Sequence, residues 1–369
     1  VKSGLGRRIS LLMVSRFGGS PLGLAYSLVL TDAAIAPAFP SNTARGGVLF
    51  PIVLSISKGA GSEPDSPEGR RLGGYLMFCA MAGLSVSSAL WLTATSCNPI
   101  GVQIAQQHGM EIGFADWLIA SSVPTLSAIL ILPLLVAKIF PPGIGATPEA
   151  PIAARRDLAG MGAMSRDERI TLVTFAVMVA GWVAGSALQI NGTAVAFMGF
   201  GVLLVSGVLT LEDISKQGDT LATFLWLAIL FALSAQLNEL GFMGYVGERL
   251  ATRMGGLDWP VLYVALVALY VVLHYFFVSQ TSQMLALLAV FLDVGIRGGV
   301  PAALMAPGLL FASSYFSVIT PQGGSQNIIF VASGYLKQGE LYRMGLITTI
   351  TFMTIYLVIG TPWILFVSG

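Results

Sequence analysis

Long apolar stretches alternate along the chain with short polar interruptions, and the interruptions recur in the same order. Residues 22–39 are almost wholly apolar; a polar knot of Ser41, Asn42, Thr43 and Arg45 follows, then a second apolar arm over 47–57. As a helix that second arm is about 16 Å long, well short of a hydrocarbon core of roughly 30 Å. The pattern predicts a re-entrant hairpin over 22–57 whose tip stops inside the bilayer. A Gly-, Ser- and Pro-rich loop over 58–71 then reads as solvated. Residues 72–92 predict a crossing helix that breaks at T-A-T-S-C-N-P (93–99) and resumes to 107, a broken helix over 72–107. A span over 117–139 closes at Pro141 and Pro142, and a polar linker over 141–169 holds Arg155, Arg156, Arg166 and Arg169.

Three spans come next, 170–190, 193–210 and 221–237, within a scaffold segment ending near 246. Then the opening order returns. An apolar arm over 261–278, a knot S-Q-T-S-Q (279–283) and a short arm over 284–294 predict a second hairpin, 261–294. A helix from 301 breaks at T-P-Q-G-G-S-Q-N (320–327) and resumes to 336, and a last span covers 344–367. Hairpin, broken helix, helix: the sequence divides into a partial first repeat (1–140), a cytoplasmic linker (141–169) and a second repeat (170–369). Three spans precede the second hairpin but only about 20 residues precede the first. The repeat therefore predicts about three further helices, roughly 90–110 residues, ahead of Val1.

Composition makes this a membrane protein. The chain is 55% hydrophobic and 10% charged, with a mean hydropathy of +0.81, where a soluble domain carries about 25% charged residues. The net charge of +1 and the lack of a basic run argue against a nucleic-acid partner. Cys79 and Cys97 both fall in apolar stretches, so neither a disulfide nor a metal spacing is expected, and no cleavable signal peptide is visible. Charge sets the orientation. With the first hairpin entering from the cytoplasm, 15 Lys and Arg lie in inner loops against 3 outside, with Arg45 alone left in the membrane. The positive-inside rule favours that topology, which makes the two repeats inverted.

Four chain breaks then fall near mid-membrane. Each frees backbone groups that cost several kcal/mol apiece unless a polar cavity or a partner receives them. At each hairpin tip a helix begins, and its free N–H groups favour an anion. Ser41, Asn42 and Thr43 serve equally as capping residues, a role compatible with binding. Arg45 needs a partner in the membrane, either a guest anion or Asp32 and freed carbonyls. His274 reads as a packed core histidine; Asp32 and Asp293 are candidates for proton coupling, unless solvated at arm ends. Almost no carboxylate lies in the predicted cavity, which suits an anionic cargo rather than a cation.

Several separated motifs then resemble one family. P-S-N-T-A-R-G-G-V-L-F-P-I (40–52), preceded by G-L-G-R-R-I (4–9), is similar to the divalent anion/sodium symporters, above all to citrate/succinate and 2-oxoglutarate/malate exchangers. Asn98-Pro99, H-Y-F-F-x-S-x-T (274–281) and F-x-x-S-G-Y (330–335) extend the likeness through the chain. The resemblance implies an elevator-type transporter, a homodimer, in a bacterial inner membrane. It implies substrate contacts at Asn42, Thr43, Gln280, Thr281 and Thr320, with Arg45 added on its charge. Ser41, Asn42, Thr95 and Asn98 are the implied first cation site. Gln280 stands where sodium-coupled members have Asn, and Gln322-Gly323-Gly324 departs from the family's versions, leaving selectivity open there.

The expected function is secondary transport of di- or tricarboxylates of the succinate, malate, 2-oxoglutarate or citrate type by anion exchange. Sodium-coupled symport of dicarboxylate or sulfate is the alternative; no cofactor is expected beyond sodium as a coupling ion. The sequence shows no nucleophile–base pair, which argues against an enzyme. A channel would show unitary currents and no counter-substrate requirement.

Overall fold

The computed structural model describes residues 2–66, 70–188, 190–215 and 240–368 apart from 255, with isolated positions between 225 and 239. The expected span over 221–237 lies largely outside the described residues. Every regular element among the described residues is helical: α1 (Leu5–Phe17), α2 (Pro21–Ile35), α3 (Asn42–Gly59), α4 (Arg70–Ser87), α5 (Cys97–Gln107), α6 (Phe114–Ile139), α7 (Glu149–Met161), α8 (Arg166–Val183) and α9 (Gly192–Val205). They continue as α10 (Phe242–Met254), α11 (Trp259–Leu273), α12 (Gln280–Arg297), α13 (Ala302–Tyr315), α14 (Ser325–Val331) and α15 (Gln338–Ile355). A π-turn at Tyr356–Gly360 leads from α15 into α16 (Thr361–Ser368). Among the described residues four segments are long and apolar enough to cross a membrane: Pro21–Ala38, Phe114–Ile139, Trp259–Phe276 and Gln338–Ser368.

The internal repeat is visible in the helices themselves. A 13-residue helix (α1, α10) precedes a 15-residue arm with Pro at its start (α2, α11), a three-residue 3₁₀ turn (Ala36–Ala38, His274–Phe276) and an 18-residue arm (α3, α12). The second arms are longer than the apolar pattern predicts. Ser41 and Ser279 take extended backbone and cap Ala44 N and Ser282 N, at 3.3 and 3.4 Å. The polar knots thus form the first helical turn, and each arm reaches about 27 Å. Arm length therefore gives no reason for the chain to turn back.

Both interrupted helices also differ from the expected boundaries. The first stops at Ser87, five residues before the expected end at 92, because side-chain donors claim the carbonyls that would continue it: Arg45 reaches Leu84 O, and Asn98 Nδ2 reaches Ser88 O and Trp91 O. The second passes through a 3₁₀ turn (Phe316–Val318) and resumes at Ser325, ending at Val331 rather than near 336. The linker over 141–169 contains α7, antiparallel to α1: Thr147 Oγ1 donates to Gly18 O, and Arg8 to Gly162 O near the other end. Ala154, Leu158 and Met161 give α7 the apolar side that its charged residues hide in the sequence. The N-terminal basic flank is likewise helical, as α1.

One continuous core joins both hairpins, both interrupted helices, α6 and the last span, packed through Leu24, Leu28, Phe78, Phe291, Phe311 and Tyr315. Close approach depends on small residues: a Cβ at Gly345 would stand 2.1 Å from Val318 O, so α15 can lie against the second break only with glycine there. The helices α8 and α9 form a separate small core of Met178, Trp182 and Val195 with Phe114, whose ring stacks on Trp182 at 5.5 Å. A buried ion pair is a second tie to this part: Arg8 Nε donates to Glu168 Oε1 at 2.6 Å, and Glu168 also caps α8 through Ser165 N.

A second ion pair braces the first hairpin. Arg45 Nη1 lies 2.8 Å from Asp32 Oδ2, both fully buried, across the two arms. The second hairpin makes the corresponding link, again 13 residues apart, without charge: Gln283 Nε2 donates to Tyr270 O at 2.7 Å. Removing one member of a buried pair strands the other, at about 3–5 kcal/mol. Asp32→Ala should therefore lower stability by about that much in detergent-solubilised protein, measured by thermal unfolding. Arg8 holds the Glu168 carboxyl below its ordinary range, so this pair stabilises the fold above that range and stops doing so as pH falls through the lowered value. The thermal stability gap between wild type and Glu168→Gln should accordingly shrink on acidification from neutral pH to below the ordinary carboxylate range.

Candidate functional site

The two hairpin tips and the two helix breaks meet, and named side chains make every junction. The first tip touches the first break: Asn42 Oδ1 accepts from Ser88 Oγ at 2.7 Å, and Pro40 O accepts from Ser96 N at 3.2 Å. It also reaches the second break, where Thr43 Oγ1 and Ser325 Oγ are 2.7 Å apart. The second tip mirrors this. His274 Nε2 lies 2.7 Å from Gly323 O and Nδ1 2.7 Å from Gln283 Oε1, while Cys97 Sγ at the first break lies 3.6 Å from the Met284 sulfur of the second arm. The breaks touch each other through Ser85 and Ser317, 2.7 Å apart, with Gln326 Nε2 3.1 Å from Ser85 Oγ.

The sequence places these residues by a common rule. Interrupting a helix frees carbonyls, and each break carries an asparagine just beyond it that donates to two of them. Asn98 takes Ser88 O and Trp91 O; Asn327 takes Ser317 O and Thr320 O, at 2.8 and 3.1 Å. That leaves Asn98 Oδ1 and Asn327 Oδ1 buried without a partner. Thr95 Oγ1 accepts from Cys97 N and acts as a local cap. Gln280 donates to Ser313 O and Ser314 O at 2.8 and 3.2 Å, bracing the tip against α13. His274, buried and stacked on Phe316 at 3.8 Å, pins the loop over 320–324 to the tip.

Arg45 is enclosed. Besides Asp32 it donates to Ser87 Oγ, Ser88 Oγ, Leu84 O and, at 2.6 Å, Asn42 Oδ1. Since a guanidinium only donates, the Asn42 amide must turn its oxygen toward Arg45. Its Nδ2 is then left buried with no partner, a neutral donor at the tip. Thr320 Oγ1 is a second buried donor without a partner, whereas Thr43 is exposed and Thr281 half-buried. Asp293, the other candidate for proton coupling, pairs with Arg297 at 2.8 Å on an exposed surface, away from the tips.

Of the residues singled out from sequence, Ser41, Asn42, Thr43, Arg45, Thr95 and Asn98 gather at the first tip and first break. Gln280, Thr281 and Thr320 gather at the second. Sequence reasoning missed Ser85, Ser88, Ser317, Ser325 and Gln326. The signal was there for the first two, in the run S-V-S-S (85–88) inside an otherwise apolar helix. Three described cavities, of about 700, 440 and 260 Å³, have other linings; the largest is an apolar groove between α1, α3 and α7. Among the described residues no three His, Cys, Asp or Glu could hold a metal.

The chain is similar to known transporters along its whole length. A Bacillus subtilis protein, YflS, whose name gives it provisionally as a malate transporter, is 37% identical over 98% of this chain and 76% of its own. The chloroplast dicarboxylate transporter 2 of spinach is 35% identical over 98% of this chain, which spans only 65% of that relative's length. The Escherichia coli inner membrane protein YbhI is 30% identical over 98% of this chain and 76% of its own. The profile of the sodium:sulfate symporter transmembrane region matches residues 1–368. This chain, a multi-pass membrane protein, belongs to that family, the divalent anion/sodium symporters.

Proposed function

We propose that the protein moves di- and tricarboxylate anions (of the succinate, malate, 2-oxoglutarate or citrate type) across the bacterial inner membrane as a secondary active transporter working by exchange. The observation that carries this reading is the meeting of four chain breaks around neutral donors, Asn42 Nδ2 and the Thr43, Thr281 and Thr320 hydroxyls, with the Asp32 carboxylate already paired to Arg45. Neutral donors in low dielectric favour an anion without the desolvation cost of a fixed countercharge. The relatives' names, malate and dicarboxylate transporters, agree with a small carboxylate cargo.

Exchange is favoured over sodium coupling by what already occupies the oxygens a cation would use. The Arg45 guanidinium takes Asn42 Oδ1, and the Gln280 amide takes the carbonyls of Ser313 and Ser314. Sodium-coupled dicarboxylate or sulfate symport is the second reading, supported by the unpartnered Asn98 Oδ1 and Asn327 Oδ1, which with Ser41, Thr95 and freed carbonyls would suit a small cation. The elevator motion and re-entrant tips belong to the same proposal. The split between the large core and the α8–α9 core supports a moving body carried against a scaffold, and a homodimer would anchor that scaffold.

In proteoliposomes preloaded with one diacid, uptake of a second should proceed without sodium; strict sodium dependence would move the assignment to symport. Thr43→Ala and Thr281→Ala should each weaken diacid binding roughly tenfold to a hundredfold, the worth of a hydrogen bond to a charged group, while membrane insertion persists. Wild-type affinity in both variants would remove these residues from the site.

A further inference from the structure

The repeat relates two crosswise positions that differ in one atom. The first residue of each resuming helix faces the hairpin of the other repeat: Ser325 Oγ lies 2.7 Å from Thr43 Oγ1, and Cys97 Sγ lies 3.6 Å from the Met284 sulfur. At the first tip the residue presents an exposed hydroxyl. At the second it is a buried thiol turned to a thioether. Sulfur accepts hydrogen bonds weakly, so the two ends of the proposed carboxylate site are chemically unequal.

We propose that Ser325 determines specificity, reading a hydroxyl next to the carboxylate held at the Thr43 end, so that the preferred cargo is a 2-hydroxy diacid. The assignment rests on the carboxylate-transport reading given above. The proton count leads to it. Two hydroxyls 2.7 Å apart share one proton between them, and the other is free. When the Thr43 O–H turns to a carboxylate oxygen and the 2.7 Å contact is kept, the Ser325 O–H is the donor that closes it on Thr43 Oγ1. The lone pairs of Ser325 Oγ are then left facing the guest as acceptors. A 2-hydroxy group brings a donor to them, held at about the same spacing from its own carboxylate as the two Oγ atoms are from each other. A plain diacid brings nothing, and a 2-oxo group brings a second acceptor. His274 and Gly323 hold the loop ahead of Ser325 in place, Gly323 so tightly that a Cβ there would stand 2.6 Å from Ser317 O, so the hydroxyl is presented by a fixed backbone.

The test compares L-malate, succinate and 2-oxoglutarate by thermal shift on purified protein and by counterflow in proteoliposomes, for wild type, Ser325→Ala and Ser325→Thr. Wild type should prefer malate. Ser325→Ala should cut the malate-to-succinate affinity ratio by roughly three- to tenfold, the worth of one neutral hydrogen bond, and Ser325→Thr, which keeps the hydroxyl, should hold it. An unchanged ratio in Ser325→Ala, or an equal fall in Ser325→Thr, overturns the assignment of Ser325 alone. Failure of wild type to bind any of the three diacids overturns the transport reading and this inference with it.

Discussion

Inside an apolar body, the main chain cannot stop being helical without someone else bonding its carbonyls, and that constraint organises this protein. With the hairpin tips and helix breaks gathered together, the freed groups are met by a small set of amide and guanidinium donors: Asn98, Asn327, Gln280, Gln283 and Arg45. Each of these donors has two ends or several protons, so satisfying the backbone with one leaves another pointed elsewhere. The unpartnered Asn42 Nδ2, Asn98 Oδ1 and Asn327 Oδ1 are by-products of that arrangement. Structural bracing and ligand chemistry are two faces of the same side chains.

The two hairpins show how such a framework can be kept while its charge is changed. Gln283 to Tyr270 O and Arg45 to Asp32 link the arms of the two hairpins at the same spacing, one neutral and one ionic. The neutral version costs less desolvation. The ionic version adds a rigid fork, and that fork sets the Asn42 amide by claiming its oxygen. A buried Arg45–Asp32 pair, neutral overall, therefore stands at the first hairpin where the second has an amide.

Packing divides the described residues into one large core and one small one. The tips and breaks pack against one dense core in which glycine is required at contacts such as Gly345 against Val318 O. Among the described residues the α8 and α9 helices meet that body through the Phe114–Trp182 stack, with Trp91, Leu92 and Leu118 packed beside it, and, by way of α1, the Arg8–Glu168 ion pair.

Hydrophobic patterning and polar punctuation determined the order of elements, the repeat and the position of the four interruptions, because apolar runs and their breaks are local properties of the chain. The motif residues Asn42, Thr43, Thr281 and Asn98 were legible for the same reason. Tertiary structure decided what local pattern cannot carry. It absorbed the polar knots into the second arms as capped first turns, ended α4 at Ser87 by giving its carbonyls to Arg45 and Asn98, and made a helix of half the linker by offering it α1 to pack on. It alone enclosed Arg45 with Asp32 and brought Ser325 to Thr43, 282 residues away along the chain. Which donor meets which acceptor depends on the folding together of distant segments, and no spacing along the chain encodes it.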